Sequence, residues 1–250
     1  MKNYQEHLDK VLKITRKLLG SEPKIIFEMG ANNCEDTLEF AKKLPTAKIY
    51  TFECNPDTLL DCRQKIKGIE NITLTEKAIS DKEMPIKFFK TVTGGDVVNH
   101  GTSSVFETNK NVNNYTQEQI EVPATTIKNF CLKNDVTGID LLWMDMQGSE
   151  LNALKGAEDF IKKIKIINTE VEFILEYQNQ PLFRDIKKFL NQNGFKLYTF
   201  STMSKMAGDA IFINTNLIKR SVLLPEMIIF GYFRIHEKIT GKIRKIKNDL

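Results

Sequence analysis

No apolar run in this 250-residue chain approaches the length of a membrane span, and its polar, helix-forming amino terminus lacks the apolar stretch of a signal peptide. A cytoplasmic location is the expectation. Four cysteines, Cys34, Cys54, Cys62 and Cys131, show no CxxC spacing and no small disulfide framework, so free thiols in a reducing compartment are expected. No sign of charge dominates: 36 Lys and Arg stand against 32 Asp and Glu, mixed through the chain. With no basic patch interleaved with aromatics, nucleic acid is not an expected partner. Internal repeats and low-complexity segments are absent as well. What remains is an apolar content of 41%, enough for a real core, in a length that suits one α/β domain with appendages.

Glycine is scarce where its scarcity decides most. Residues 24–54 read as strand, turn, helix and strand. Ile25-Ile26-Phe27 is a buried parallel strand by its apolar run, a helix follows from Cys34 to Lys43, and Ile49–Phe52 is a second strand. A pyrophosphate cradle needs glycine at the first, third and sixth turn positions. Only Gly30 fits; Asn32 and Glu35 fill the others, which disfavours a dinucleotide and therefore a dehydrogenase. Two acids, Glu28 and Glu53, end the two strands at the edge where ligands bind in open α/β sheets. They suit a ligand with a ribose and a positive end, and S-adenosylmethionine is one. Glu53 would accept the ribose hydroxyls, while Glu28 and the Gly30 turn would meet the amino-acid end. The plainer alternative is that both acids merely cap strand ends.

The rest of the chain alternates. Residues 3–20 form an amphipathic helix, stopped at Gly20, that covers one end of the sheet. Asn55 caps a helix from Pro56 to about Lys67. Asn71–Thr75 is a third strand. Asp81, after Lys77–Ser80, is placed either to bond an adenine amino group or to serve as a turn aspartate. Residues 82–124 are an excursion with arms at Pro85–Phe89 and Ile120–Val122. The polar stretch between them, about 91–118, reads as a lid over the acceptor. It carries His100, either a mobile base or a solvated loop histidine. Thr126–Lys133 is a short helix and Ile139–Met144 a fourth strand. Ser149 caps a helix to Ala157, and Ile164–Val171 is a fifth strand bearing Glu170 and Glu172. A helix over Leu182–Asn193 stops at Gly194, and strands at Phe195–Phe200 and Ala210–Ile213 close the unit. Such alternation predicts a doubly wound, mostly parallel α/β sheet. From Asn216 onward an apolar stripe precedes Lys238, Lys242, Arg244, Lys245 and Lys247. It suits a helix packed on the domain or on a second subunit, or a membrane-surface anchor.

Three islands resemble the FkbM family of S-adenosylmethionine-dependent methyltransferases: Phe27–Asn32 with Thr37, Phe52–Pro56, and Ile139-Asp140 through Asp145–Glu150. Lys77–Asp81, Thr102–Ser104 with Val122–Thr126, and Asp209–Phe212 support them. The resemblance covers about residues 24–214. It implies a class I methyltransferase sheet of seven strands with the last inserted antiparallel. The expected division is a helix at 1–22, a methyltransferase domain at 23–215, and a helical, basic extension at 216–250. It also implies transfer to hydroxyl groups, often of sugars or polyketide-type products. Three departures stand out: Glu28 replaces a usual aspartate, Cys34 a usual glycine, and Gln147 a usual glutamate.

On this reading Glu28, Gly30, Asn32, Glu53, Cys54, Ser80, Asp81 and Asp145 are the candidate S-adenosylmethionine contacts, and Asp145, His100 and Glu170 the candidate catalytic residues. Asp145 is placed to act as base, acceptor orienter or cation ligand. Glu170 would complete an oxygen-rich magnesium site with it or bond the acceptor, and no metal ligand set is assigned. The expected acceptor is a hydroxyl of a carbohydrate, a sugar of a bacterial surface polysaccharide or its nucleotide-linked precursor. A small secondary metabolite and a non-catalytic cofactor-binding module are the alternatives.

Overall fold

Strand β1 (Ile25–Met29) carries apolar side chains on both faces, so both must be covered. Phe27 and Met29 join one buried cluster and Ile26 the other. In the computed structural model, which describes residues 2–93 and 98–218, a seven-stranded sheet with helices on both sides meets that demand. Helices α1 (Lys2–Leu19) and α2 (Glu35–Lys43) place Leu8, Val11, Leu12 and Phe40 against one face. Thus α1 lies on a sheet face rather than covering one end. His7 holds it there, its Nε2 lying 2.9 Å from Ser201 Oγ.

After α2 come β2 (Lys48–Phe52), α3 (Pro56–Lys65), β3 (Ile72–Thr75) and a two-residue strand β4 (Ala78–Ile79). Asn55 caps α3 as expected, accepting the Asp57 N–H at 3.1 Å. The excursion is an antiparallel hairpin, β5 (Ile86–Thr93) and β6 (Thr116–Val122), with arms longer than the sequence suggests. Strand β7 (Ala124–Thr125) then pairs with β4. On the second face lie α4 (Ile127–Lys133), α5 (Glu150–Lys155) and α6 (Phe183–Gln192), with Phe130, Leu154 and Leu190 in the cluster. Ser149 precedes α5 but does not cap it through its side chain: its hydroxyl donates to the Met146 carbonyl at 3.0 Å.

Strands β8 (Ile139–Met144), β9 (Ile164–Glu172), β10 (Phe195–Met203) and β11 (Ala207–Asn214) complete the sheet in the order β10-β11-β9-β8-β1-β2-β3. Strand β11 runs antiparallel to both neighbours, the inserted last strand that the sequence predicts. The chain moves outward from β1 to β2 and β3, then returns to β8 on the other side of β1. That reversal opens a crevice at the carboxyl ends of β1 and β8, the switch point where such sheets bind ligands. Of the carboxyl-terminal extension read from Asn216, residues 219–250 lie outside the described residues. No helix among the described residues is long and apolar enough to cross a membrane.

Candidate active site

A cavity of about 320 Å³ occupies the switch point. Gly30, Asn32, Glu53, Cys54, His100, Asp145 and Glu170 all line it, so seven of the residues singled out from the sequence share one space. Its floor depends on one glycine. Gly30 has φ +83°, and a Cβ there would lie 1.9 Å from the Asp145 carbonyl oxygen. Only glycine lets the turn after β1 pass this close to the end of β8. The turn's amides are already used: Gly30 and Ala31 donate to the Phe52 carbonyl at 3.0 and 3.1 Å, and Asn32 to Glu53 Oε2 at 2.6 Å. No free row of N–H groups remains there to cradle a pyrophosphate, which agrees with the glycine count. Asn32 and Cys34 adopt left-handed backbone at φ 49° and 59°, taking over bends that glycine would otherwise make.

Glu53 is the polar anchor of one end. Its Oε1 accepts the N–H groups of Cys54 (2.8 Å) and Asn55 (2.6 Å), in addition to the Asn32 bond on Oε2. Burial pushes its pKa up, and these three backbone donors oppose the shift. A carboxylate offers about four lone-pair sites, so acceptor capacity is left on the cavity side. Cys54 beside it is a neutral wall, its thiol pushed up by burial and by the Glu53 charge. Asn55, read from sequence only as a helix cap, also lines the cavity and reaches Ser103 Oγ at 3.3 Å.

Three expected contacts fall elsewhere. Glu28 shares the α2 side of the sheet with Thr51, its register partner, and is 2% exposed. Its Oε2 accepts the hydroxyls of Thr37 and, at 2.8 Å, Thr51, and it does not line the cavity. The alternation of side chains along β1 explains this: Met29 and the Gly30 turn, not Glu28, reach the ligand edge. Ser80 and Asp81 line a neighbouring cavity instead, with Asp81 exposed and Ser80 Oγ 3.2 Å from its Oδ1. At that end the wall of the main cavity is Lys77, Ala78 and Ile79.

Burial raises the Glu28 pKa to about 8, against the bonds from Thr37 and Thr51. The folded protein therefore binds a proton that the unfolded chain, with an ordinary carboxyl, releases. This contribution to stability is fully present below the ordinary glutamate range and is lost as pH rises through about 8. Glu28→Gln keeps an oxygen for both threonines and removes the titration. Thermal melts should show the variant gaining on wild type between pH 6 and pH 9; an unchanged difference would place the Glu28 carboxyl in contact with solvent.

At the other end stand two acids. Asp145 follows β8, Glu170 lies near the end of β9, and Gln147 Nε2 donates to both, at 2.8 Å to Asp145 Oδ1 and 2.8 Å to Glu170 Oε2. Burial raises the Asp145 pKa, and the Asp145 charge raises that of Glu170 further still. Two carboxyls held this close both resist ionising, Glu170 the more so because of its neighbour, an environment suited to proton transfer. The excursion loop is folded onto this wall. Ser104 Oγ donates to the Gln147 carbonyl at 2.7 Å, Ser104 bridges to Phe89, and the buried Tyr177 hydroxyl lies 3.0 Å from the Thr102 carbonyl. His100 lines the same cavity, its Nδ1 4.0 Å from Asp57 Oδ2 and without a hydrogen-bond partner. Tyr177 went unnoticed in the sequence because its partners are 30 and 75 residues away.

A switch-point cavity with a carboxylate at the end of β2, a glycine turn after β1 and an antiparallel last strand defines a class I methyltransferase. The chain belongs to the FkbM methyltransferase domain family, whose model matches residues 28–197. It is therefore an enzyme, and S-adenosylmethionine is its methyl donor. A curated relative, the 2-O-methyltransferase NoeI of Sinorhizobium fredii, is 28% identical over 82% of this chain and 87% of its own. Among solved structures, a protein of Klebsiella pneumoniae described as a candidate O-methyltransferase aligns with TM-score 0.51 at 11% identity, covering 86% of this chain and 80% of that one. A SAM-dependent methyltransferase of Aquifex aeolicus aligns with TM-score 0.46 at 12% identity, covering 83% and 89%. The structural likeness is one of fold.

Proposed function

We propose that this methyltransferase acts on a hydroxyl oxygen of a carbohydrate, a sugar of a bacterial surface polysaccharide or its nucleotide-linked precursor. The observation that carries the reading is the make-up of the wall facing Glu53, where a linked acid pair stands beside the Thr102 and Ser103 residues of the folded loop. A polyol needs acceptors for its several O–H groups, and one of those groups must also lose its proton. The name of the relative NoeI, a 2-O-methyltransferase, points to the same type of acceptor atom.

The residues present fit S-adenosylmethionine. Glu53 retains acceptor capacity for the ribose hydroxyls, and the Gly30 turn, packed directly on the Asp145 backbone, lines the same cavity. The bound cofactor supplies an electrophilic sulfonium methyl. The chain's own part is alignment, with the acceptor oxygen held by the acid wall and water kept out by the folded 98–106 segment. Asp145 would take the hydroxyl proton as the acceptor oxygen gained the methyl, with the donor's carbon–sulfur bond breaking to leave a neutral thioether. Incubating the protein with S-adenosylmethionine and a panel of nucleotide-linked sugars, read by mass spectrometry for one added methyl, should give a product. Methylation of small phenolic or polyketide hydroxyls with every sugar left unchanged would overturn the carbohydrate assignment.

A further inference from the structure

Gln147 is the point at which four parts of the site meet. Its amide nitrogen bridges Asp145 and Glu170, its amide oxygen lies 2.9 Å from the Tyr177 hydroxyl, and its backbone carbonyl accepts from Ser104. The residue itself is held at φ 51°, left-handed backbone that turns its side chain back between the acids. Gly148 follows, with a Cβ position only 3.2 Å from the Gln180 side chain, and Gln180 Oε1 accepts the Tyr177 N–H. The orientation of the amide follows from its neighbours. Turned the other way, its oxygen would face two carboxyl oxygens with no proton between it and an ionised Asp145, whereas the nitrogen brings two hydrogens for two acceptors.

We infer that Gln147 is a positioning residue that sets Asp145 and Glu170 for the acceptor hydroxyl and takes the place a divalent cation would need between them. A magnesium ion asks for oxygen donors converging on one point. Here the convergence point of the two carboxyls is filled by a nitrogen that donates to both, and no cluster of three or more His, Cys, Asp or Glu able to hold a metal exists among the described residues. The acid pair therefore does not fit magnesium as built: the Gln147 amide oxygen is turned to Tyr177, and a third carboxylate at position 147 is what the site lacks. The same amide couples chemistry to loop. Through Tyr177, which also contacts the Thr102 carbonyl, and through Ser104, a shift of the acids moves the wall that carries His100.

This inference rests on the acceptor-side role of Asp145, but its test needs no acceptor. Wild type, Gln147→Glu, Gln147→Ala and Tyr177→Phe are titrated by calorimetry, first with S-adenosylmethionine and then with Mn²⁺ in its presence. All four should bind S-adenosylmethionine within about threefold of one another, because none of the altered groups touches Glu53; that arm also reports a folded site. Wild type and Gln147→Ala should show no stoichiometric Mn²⁺ site. Gln147→Glu, with a third carboxylate at the convergence point, should gain one and lose it again when combined with Asp145→Asn. Stoichiometric Mn²⁺ binding by wild type that Asp145→Asn abolishes would overturn the inference, as would a Gln147→Glu protein that binds S-adenosylmethionine but no Mn²⁺. Once a sugar acceptor is found, Gln147→Ala should lower kcat by about tenfold or more with the S-adenosylmethionine Kd unchanged, the loss of two charge-assisted bonds. Full kcat in that variant would remove the positioning role, while failure of every sugar would bear only on the acceptor.

Discussion

Asp145→Asn should lower kcat by about 10²- to 10⁴-fold, the range that a positioned proton acceptor contributes. The substitution keeps the shape of the side chain and leaves an amide oxygen for Gln147 Nε2 to bond. It also leaves intact the Asp145 backbone, whose N–H donates to the Met29 carbonyl at 3.0 Å and whose carbonyl sits against Gly30. Cofactor affinity should therefore change little, and the loss should appear in turnover alone. His100→Ala is the companion measurement. Both residues line the cavity, but His100 stands near Asp57 rather than the acid pair. Its removal should cost far less than that of the Asp145 carboxylate. A His100→Ala protein as impaired as Asp145→Asn, or an Asp145→Asn protein with wild-type turnover, would move the proton to the imidazole.

The second large effect is expected at Glu53. A carboxylate bonding a ribose diol contributes about 1.5–3 kcal/mol per charged hydrogen bond, so Glu53→Ala should weaken S-adenosylmethionine binding by at least about tenfold. The structure adds a second consequence. Three backbone N–H groups, those of Asn32, Cys54 and Asn55, lose their acceptor at once, and Glu53 is 7% exposed. Buried donors left without partners are costly, so the melting temperature should fall together with affinity. Binding has to be measured well below that temperature. Glu53→Gln separates the two effects in part, since it keeps one acceptor oxygen for the backbone while losing the charge the ribose meets. Calorimetry on a folded Glu53→Ala protein showing wild-type affinity would remove Glu53 from the site.

Much of the fold is legible from local signals because each strand of the sheet carries its own. The apolar runs at Ile25, Ile49, Ile139 and Ile164, and the cap at Asn55, act over a few residues. Ligand-edge residues follow directly from strand ends, which is how Gly30, Glu53, Asp145 and Glu170 come to one cavity. Glu28 shows the limit of that reasoning. It too ends an apolar strand, but whether an acid faces the ligand or the next layer depends on side-chain parity and on Thr37 and Thr51 across the strand. Asp81 differs in another way: the wall of the main cavity is formed by Lys77–Ile79, where β4 pairs with β7, and Asp81 itself lines the neighbouring cavity. Gln147 is the converse case. In the sequence it stands only as a departure from the family pattern; in three dimensions it joins the two acids, because its amide nitrogen donates one hydrogen to each.

The hairpin of β5 and β6 pairs with no strand of the main sheet and has a small core of its own in Phe88 and Val122, packed with Ala78 and Ala124. Its loop meets Gln147 through the Ser104 hydroxyl, and Tyr177, which lies outside the hairpin, touches both the Gln147 amide and the Thr102 carbonyl, whereas Gly30, Glu53 and Asp145 hang on sheet backbone. The two halves of the cavity are thus built by separable pieces of chain. On the reading proposed above, the donor and the acid wall are both carried by strand ends that cannot drift without unpicking the sheet, while the Thr102 and Ser103 hydroxyls would be offered to the acceptor by a cassette whose loop sequence can be rewritten at little cost to the scaffold. On that reading, exchanging the loop of one hairpin would change the molecule modified while the reagent stayed the same.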